Sequence, residues 1–250
     1  MSDTLLLVIF AVCSYLFGNV NWAVIISKIK KLDIRKMGSG NPGTLNMSRN
    51  LGLKAGLLTF LLDILKGALP TLVAFLVFKD KAFQGCKYVI GDFAIYLCGL
   101  CVVLGHIYPV FMKFKGGKGI ASSIGVFMVC SCAFELAWIV VFIMSLVAAL
   151  LFIYFTEFGA MGSFIAITPN AIGCGIRLFL LYHGSTDSKL LTFYIVSNML
   201  ILAICFFTWF AHRKNIERML AGEEHPTSIK EMVVKMKAKK SAQKSDDKSN

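Results

Sequence analysis

The chain has 250 residues, of which 57% are hydrophobic and 16% are charged, and its mean hydropathy is +0.72. Soluble domains average roughly 25% charged residues, so the composition excludes an ordinary soluble protein and indicates an integral membrane protein. The net charge of +12 does not favour a nucleic-acid partner. Most of this charge borders apolar segments, where anionic lipid headgroups are the better partner.

Seven apolar runs predict helices that cross the bilayer, since a hydrocarbon core of ~30 Å requires ~20 helical residues. The runs are 5–27, 57–78, 89–110, 120–134, 136–155, 161–182 and 190–210. The fourth and fifth adjoin, and Glu135 marks the predicted turn between them. The first lacks a basic n-region and a cleavage site, which predicts a retained helix rather than a signal peptide.

The distribution of Lys and Arg predicts the orientation. Twenty of the 26 basic residues lie in 28–54, 113–118 and 211–250, whereas four lie in the connections at the other ends of the runs. The positive-inside rule therefore places the N-terminus outside and the C-terminus in the cytoplasm. We expect residues 1–225 to form the transmembrane domain. Residues 226–250 should form a basic cytoplasmic tail, partly disordered, that begins with a short amphipathic helix.

Three polar segments interrupt the apolar pattern, and all three are predicted to face the cytoplasm. The first reads GSGNPGTLNMSR and follows KKLDIRKM, which predicts a short surface helix. Gly38, Gly40 and Gly43 match GxGxxG, but no apolar strand precedes them and Pro42 lies inside the pattern. A dinucleotide-binding fold is therefore not favoured.

The chemistry of this first segment favours a phosphate site. Its glycines allow successive N–H groups to point at one anion, and Ser39, Asn41 and Asn46 add donors. Arg49 would supply a planar, bidentate cation to the same group. The alternative is a flexible connector that carries a cytoplasmic arginine.

The second segment, GHIYPVFMKFKGGKG, repeats these ingredients. Gly116 and Gly117, between Lys115 and Lys118, form a second candidate anion site. The residue order of a Walker loop is absent, so ATP is not implied. His106 is either catalytic or a structural hydrogen-bonding group.

The third segment, AHRKNIERMLAGEEH, follows the last apolar run. His212 and Asn215 are three residues apart and would share one face if the helix continues; the alternative is an ordinary charged helix end. Within the apolar runs, Asp63 and Lys66 predict an internal ion pair. Ser163 either offers a hydroxyl to a polar site or bonds back to its own helix.

In this order and spacing, the three segments resemble the motifs of the PlsY-type glycerol-3-phosphate acyltransferases of bacterial membranes. The family patterns GSGNxGxTNxxR, GHxxPVFxxFKGGKG and HRxNIxRLxxGxE correspond to GSGNPGTLNMSR, GHIYPVFMKFKGGKG and HRKNIERMLAGEE. The family's LDxxKG is similar to LDILKG. Leu45 and Ala160 depart from residues that are usual in the family, a threonine and a frequent serine.

The resemblance implies a seven-helix enzyme in the bacterial cytoplasmic membrane, with its active site facing the cytoplasm. It implies acyl transfer from acyl-phosphate to the 1-hydroxyl of sn-glycerol 3-phosphate, giving lysophosphatidic acid and inorganic phosphate in the first step of phospholipid synthesis. No metal, cofactor, nucleic acid or obligate protein partner is implied. The expected partners are the two substrates and membrane lipid.

The chemistry and the resemblance together assign the site residues. The catalytic assignments are His212, Asn215, Lys118 and Ser163. The phosphate-binding assignments are Gly38, Ser39, Gly40, Asn41, Gly43, Asn46, Arg49, Lys115, Gly116 and Gly117. His212 is the candidate base, although a substrate phosphate oxygen is an alternative.

An organic-phosphate transporter would also need a cationic pocket among helices. Transporters commonly carry inverted repeats and broken helices at the membrane midplane. This chain shows no sequence repeat and places its polar motifs at one predicted face, which favours interfacial chemistry. A noncatalytic scaffold would leave the clustered Gly, Asn, Lys, His and Arg residues unexplained.

Overall fold

The structure, a computed structural model, describes residues 2–81, 89–134 and 137–223 together with Thr227 and Val234. All regular secondary structure in these residues is helical. The α-helices are α1 (Asp3–Gly18), α2 (Trp22–Ile29), α3 (Thr44–Leu51), α4 (Leu53–Phe78), α5 (Val89–Ile107), α6 (Ile120–Phe134), α7 (Ala137–Thr156), α8 (Gly159–Tyr182), α9 (Ser188–Ala211) and α10 (Arg213–Leu220). Short 3-10 helices cover Ile34–Lys36, within the predicted surface helix, and Val110–Met112.

Six helical stretches of the described chain are long and apolar enough to cross a membrane. They are α4, α5, α7, α8, α9 and the combined α1–α2 segment. The remaining apolar run is α6, whose 15 residues extend about 22 Å, less than the ~30 Å of hydrocarbon. The turn predicted at Glu135 lies outside the described residues, as does the tail apart from Thr227 and Val234.

The first apolar run differs from the continuous helix predicted over 5–27, because it breaks between α1 and α2. The Asn21 side chain caps α2 by accepting the Val24 N–H at 3.0 Å. The Val20 carbonyl instead accepts the Lys66 ammonium at 2.7 Å. A buried ammonium group needs hydrogen-bond acceptors, and the backbone carbonyls of a continuous helix are already bonded within that helix. The break therefore leaves the Val20 carbonyl available to Lys66.

The helices run back and forth between two ends that differ in polarity. We call the end at which α3, α6, α8 and α10 begin the polar end. There the Lys118 ammonium bonds the Asn215 side-chain oxygen, which joins the second and third polar segments. At the opposite end, the Lys81 ammonium lies 2.7 Å from the Asp3 carboxylate and fixes the start of α1. The N-terminus and the polar segments therefore lie at opposite ends of the bundle.

Close packing between α4 and α6 depends on small residues. A Cβ added to Gly125 would collide with the Ile64 carbonyl oxygen, and one added to Gly67 would collide with the Ser122 carbonyl oxygen. Glycine at these positions lets the two backbones approach, which is the main source of helix association in lipid. This contact fixes α6, which follows the loop that carries Lys118.

We predict that Gly125→Val destabilises the protein, because the added methyl groups force α6 away from α4. Overpacking of this kind costs roughly 1–3 kcal/mol, so thermal unfolding in detergent should occur several degrees lower. Leu65→Phe is the control, since Leu65 is 58% exposed on the outer face of α4. Equal melting temperatures for the two variants would contradict the packing argument.

Candidate active site

The first polar loop is shaped by the side chain of Asn46. Gly38 and Gly40 adopt left-handed φ angles of 55° and 70°, which glycine tolerates without strain. The Asn46 amide oxygen accepts the Ser39 N–H at 3.2 Å, and its nitrogen donates to the Met37 carbonyl at 3.0 Å. Asn46 is buried and bonds the loop itself, which differs from the ligand-donor role predicted from the sequence.

The N-terminus of α3 offers donors next to this loop. Its N-cap residue, Gly43, makes no side-chain capping bond. The first-turn N–H groups from Thr44 onward have no intrahelical acceptor, and the helix dipole adds partial positive charge there. Asn41 precedes this turn, with its N–H bonded to the Ser39 hydroxyl at 3.4 Å. Arg49 is exposed on the same helix, so the first segment does combine backbone donors with a guanidinium.

The second polar loop uses its glycine amides internally. The Gly116 N–H donates to the Ile107 carbonyl, and the Gly117 N–H donates to the His106 carbonyl, both at 3.1 Å. A Cβ on Gly117 would also collide with the His106 ring. These contacts leave neither amide for an anion, so the prediction of a second backbone nest here is wrong. The Lys115 side chain is exposed.

A buried ionic network lies next to the second polar loop. The Lys66 ammonium lies 2.9 Å from the Asp63 carboxylate, which confirms the predicted ion pair, and 2.8 Å from the His106 Nδ1. Together with the Val20 carbonyl, these groups surround an ammonium that is fully buried. His106 is thus a structural group, held by Lys66 on one side and packed against Gly117 on the other.

Lys118 and Asn215 bring the second and third polar segments into direct contact. His212 and Asn215 would share one helix face only if the last helix continued through both, and it does not. α9 ends at Ala211, and His212 is the cap residue between α9 and α10. The pair stays adjacent because the Asn215 N–H donates to the His212 carbonyl at 2.8 Å.

His212 is a buried, neutral imidazole. Its Nδ1 lies 2.8 Å from the Thr208 carbonyl, and because a carbonyl only accepts, Nδ1 carries the hydrogen and Nε2 keeps a lone pair. Burial, and next the charge of Lys118, lower the pKa of His212 to about 4, against the opposing effect of the Thr208 bond. The ring is therefore neutral at neutral pH with a lone pair on Nε2, and the same shift makes it a weaker base than an ordinary histidine.

Phe164 packs against the His212 ring, and Trp209 packs against Phe164. The Ser163 hydroxyl donates to the Gly159 carbonyl at 2.8 Å, so it bonds back to its own helix. The next residue, Phe164, packs its ring 5.4 Å from the His212 ring and 5.5 Å from the Trp209 ring. Phe164 and Trp209 were not predicted, because aromatic residues in apolar helices do not differ in sequence from ordinary lipid-facing ones.

An apolar groove of about 470 Å³ leads away from Phe164 between α8 and α9. Its lining residues are Met161, Phe164, Ile165, Thr168, Pro169 and Trp209. Trp209 is 41% exposed, so the groove opens to the lipid-facing side of the bundle. The groove is shallow and wide open on this side.

The first polar segment also contacts the tail at the polar end. The Arg49 guanidinium donates to the Thr227 hydroxyl at 3.0 Å, and the Thr227 N–H donates to the Glu157 carbonyl at 2.8 Å. The tail residue Thr227 was not predicted to contact the site, because nothing in its local sequence indicates a long-range partner. The polar end thus carries two cations, a neutral imidazole and the N-terminus of α3, and an apolar groove starts beside the imidazole. Among the described residues, no group of three or more His, Cys, Asp or Glu is placed to hold a metal ion.

The chain matches one protein family along most of its length. The family model described as glycerol-3-phosphate acyltransferase matches residues 8–222. A glycerol-3-phosphate acyltransferase of Thermoanaerobacter pseudethanolicus is 37% identical over 218 residues, which cover 87% of this chain and 93% of the relative.

Two crystal structures of PlsY, an integral membrane glycerol 3-phosphate acyltransferase, share the fold. The glycerol 3-phosphate form has a TM-score of 0.65 and 32% identity, over 91% of this chain and 98% of that chain. The lysophosphatidic acid form has a TM-score of 0.64 and 34% identity, over 93% of this chain and 100% of that chain. The chain therefore belongs to the glycerol-3-phosphate acyltransferase family of integral membrane proteins.

Proposed function

We propose that the chain transfers an acyl group from acyl-phosphate to the 1-hydroxyl of sn-glycerol 3-phosphate, releasing lysophosphatidic acid and inorganic phosphate. Family membership supports the acceptor, since related structures are glycerol 3-phosphate and lysophosphatidic acid forms. The observation that carries the proposal is the Lys118–Asn215 contact beside a neutral His212, at the start of an apolar groove. This arrangement suits a reaction between a polar phosphate and a lipid-borne acyl group.

The acyl transfer is a direct attack with no acyl-enzyme. Acyl-phosphate is a mixed anhydride with a good leaving group, and the Ser163 hydroxyl is bonded to its own helix, so no activated nucleophile is required. The glycerol oxygen forms a bond to the carbonyl carbon, and phosphate leaves with the electron pair of the broken C–O bond. His212 Nε2 accepts the hydroxyl proton, or a substrate phosphate oxygen does so in its place.

The two substrate phosphates are bound by separate sets of hydrogen-bond donors. Arg49 and the first turn of α3 hold the phosphate of glycerol 3-phosphate, with Ser39 and Asn41 beside them. Lys118 holds the acyl-phosphate near His212, since the aromatic wall of the groove adjoins that ring. Two phosphate dianions ~5 Å apart repel by roughly 13 kcal/mol at an effective dielectric constant of ~20. The cations of the site must offset this repulsion.

The charge distribution supports a location for the enzyme. A count of seven crossing segments, including α6, and the concentration of positive charge at the polar end favour a topology with the N-terminus outside and the polar end in the cytoplasm. The separation of Asp3 and Lys81 from the polar end supports this topology. Residues 1–225 then form the enzymatic domain of a bacterial cytoplasmic membrane protein, and residues 226–250 form its cytoplasmic tail. Glycerol 3-phosphate reaches the site from the cytosol, and the acyl donor reaches it from lipid.

Lys118→Ala should lower kcat/KM by about 100-fold or more, the effect of removing a donor that stabilises a developing oxyanion. The assay uses purified full-length protein, radiolabelled glycerol 3-phosphate and palmitoyl-phosphate. Lys214→Ala is the matched control, because Lys214 is exposed next to Asn215. Product formed from palmitoyl-CoA alone would overturn the donor, and counterflow of glycerol 3-phosphate in vesicles without donor would indicate a transporter.

His212→Gln should lower kcat by about 100-fold or more, the usual contribution of a positioned base. The variant should stay folded, because glutamine keeps a side-chain N–H for the Thr208 carbonyl. His183→Gln at the opposite end serves as the control. Because the pKa of His212 is lowered to about 4, its NMR titration should show a neutral ring at neutral pH that protonates only as the pH falls toward that value. Near-normal turnover of the variant would leave the substrate phosphate as the base.

Trp209→Ala should raise KM for palmitoyl-phosphate more than KM for decanoyl-phosphate, because only the longer chain fills the groove. Each buried methylene group contributes ~0.8 kcal/mol, so the difference should be several-fold. Phe179→Ala tests the same kind of truncation on α8 outside the groove, at a side chain that is 52% exposed. An equal change for both donors would place the acyl chain elsewhere.

A further inference from the structure

Thr227 makes two long-range contacts at the polar end. Its hydroxyl accepts a hydrogen bond from Arg49 Nη2 at 3.0 Å, and its N–H donates to the Glu157 carbonyl at 2.8 Å. The residue is 3% exposed. It lies beyond residue 222, where the family match ends, so the family comparison does not account for it.

These contacts place Thr227 where α3 meets the first turn of α8. A Cβ added to Gly159 would lie 2.7 Å from the Thr227 hydroxyl oxygen and 3.3 Å from the Leu45 side chain. The Gly159 carbonyl in turn accepts the Ser163 hydroxyl. Thr227 therefore connects the helix that carries Arg49 to the helix that forms the wall of the groove.

We propose that Thr227 is a positioning residue for Arg49, holding the guanidinium ready for the phosphate of glycerol 3-phosphate. This inference rests on the proposed function, in which Arg49 binds that phosphate. Arg49 is exposed and has a long side chain, and fixing such a side chain on ligand binding costs conformational entropy. A hydrogen bond to a buried, anchored hydroxyl lowers that cost before the substrate arrives.

The same contact does not block the site. A guanidinium carries five N–H donors, and the Thr227 hydroxyl accepts one of them. A guanidinium and a phosphate both carry charge and form two parallel hydrogen bonds, whereas the Thr227 hydroxyl carries no charge and accepts one hydrogen bond. A neutral hydroxyl is therefore a weak competitor for Arg49 and an effective orienting group.

Thr227→Val removes the hydroxyl and keeps the shape of the side chain. We expect KM for glycerol 3-phosphate to rise about threefold to tenfold, the cost of ordering one flexible side chain, with kcat and KM for palmitoyl-phosphate unchanged. Thr227→Ser should restore the normal KM. Thr192→Val is the matched control, because the Thr192 hydroxyl bonds only within α9, to the Ser188 carbonyl, in an exposed position.

Combining Thr227→Val with Arg49→Lys distinguishes a failure of the positioning role from a failure of the proposed role of Arg49. In the Arg49→Lys protein, Thr227→Val should have no further effect, because coupled residues are non-additive. If Arg49→Lys raises KM for glycerol 3-phosphate but Thr227→Val does not, the positioning role is overturned. If Arg49→Lys leaves that KM unchanged, the proposed role of Arg49 itself fails. A lower KM in Thr227→Val would show competition with substrate, and a lower melting temperature with unchanged KM would show a structural role only; either result overturns the inference.

Discussion

In the proposed reaction two phosphate groups meet near one carbonyl carbon, and their repulsion is the constraint on which the polar end of this protein depends. Cations must then lie close to both groups, although the polar end borders apolar helices, in which charges are costly to bury. The chain meets both conditions by carrying its cations on loops and short helices that cap the membrane helices. Lys118 is held by Asn215, and Arg49 is held on α3. The remaining donors come from helix N-termini, which provide positive potential without a charged side chain.

The buried Lys66 has a different task from these two cations. It is enclosed by Asp63, His106 and the Val20 carbonyl, so its charge is used inside the protein. Removing one partner from such a group leaves a buried charge uncompensated, which costs several kcal/mol. The network also joins three parts of the chain: the break before α2, the middle of α4 and the end of α5. The contacts between His106 and Gly117 connect this network to the loop that carries Lys118 and fix the position of that loop.

Much of the fold was predictable from the sequence, because length and hydropathy decide which segments can cross a bilayer. The bounds of α4 through α9 agree with the apolar runs to within a few residues. The break after Gly18 was not predictable, because it depends on a hydrogen bond to Lys66, which is distant in the sequence. For the site, residue types indicated which segments are candidates for phosphate binding but not how each atom is used. Gly116, Gly117 and Asn46 turn inward to bond their own loops, a choice that depends on tertiary packing. The aromatic wall and Thr227 were missed because their partners lie on other helices.

The short α6 is enclosed by other helices. Of its side chains between Ile120 and Ala133, only Cys132 is exposed, so lipid hardly touches this helix. Its 15 residues therefore need not match the hydrocarbon thickness that a lipid-facing helix has to span. Because α6 starts one residue after the Lys118–Gly119 turn, the loop with Lys118 leads into a helix in the interior of the bundle and not into one at the lipid boundary.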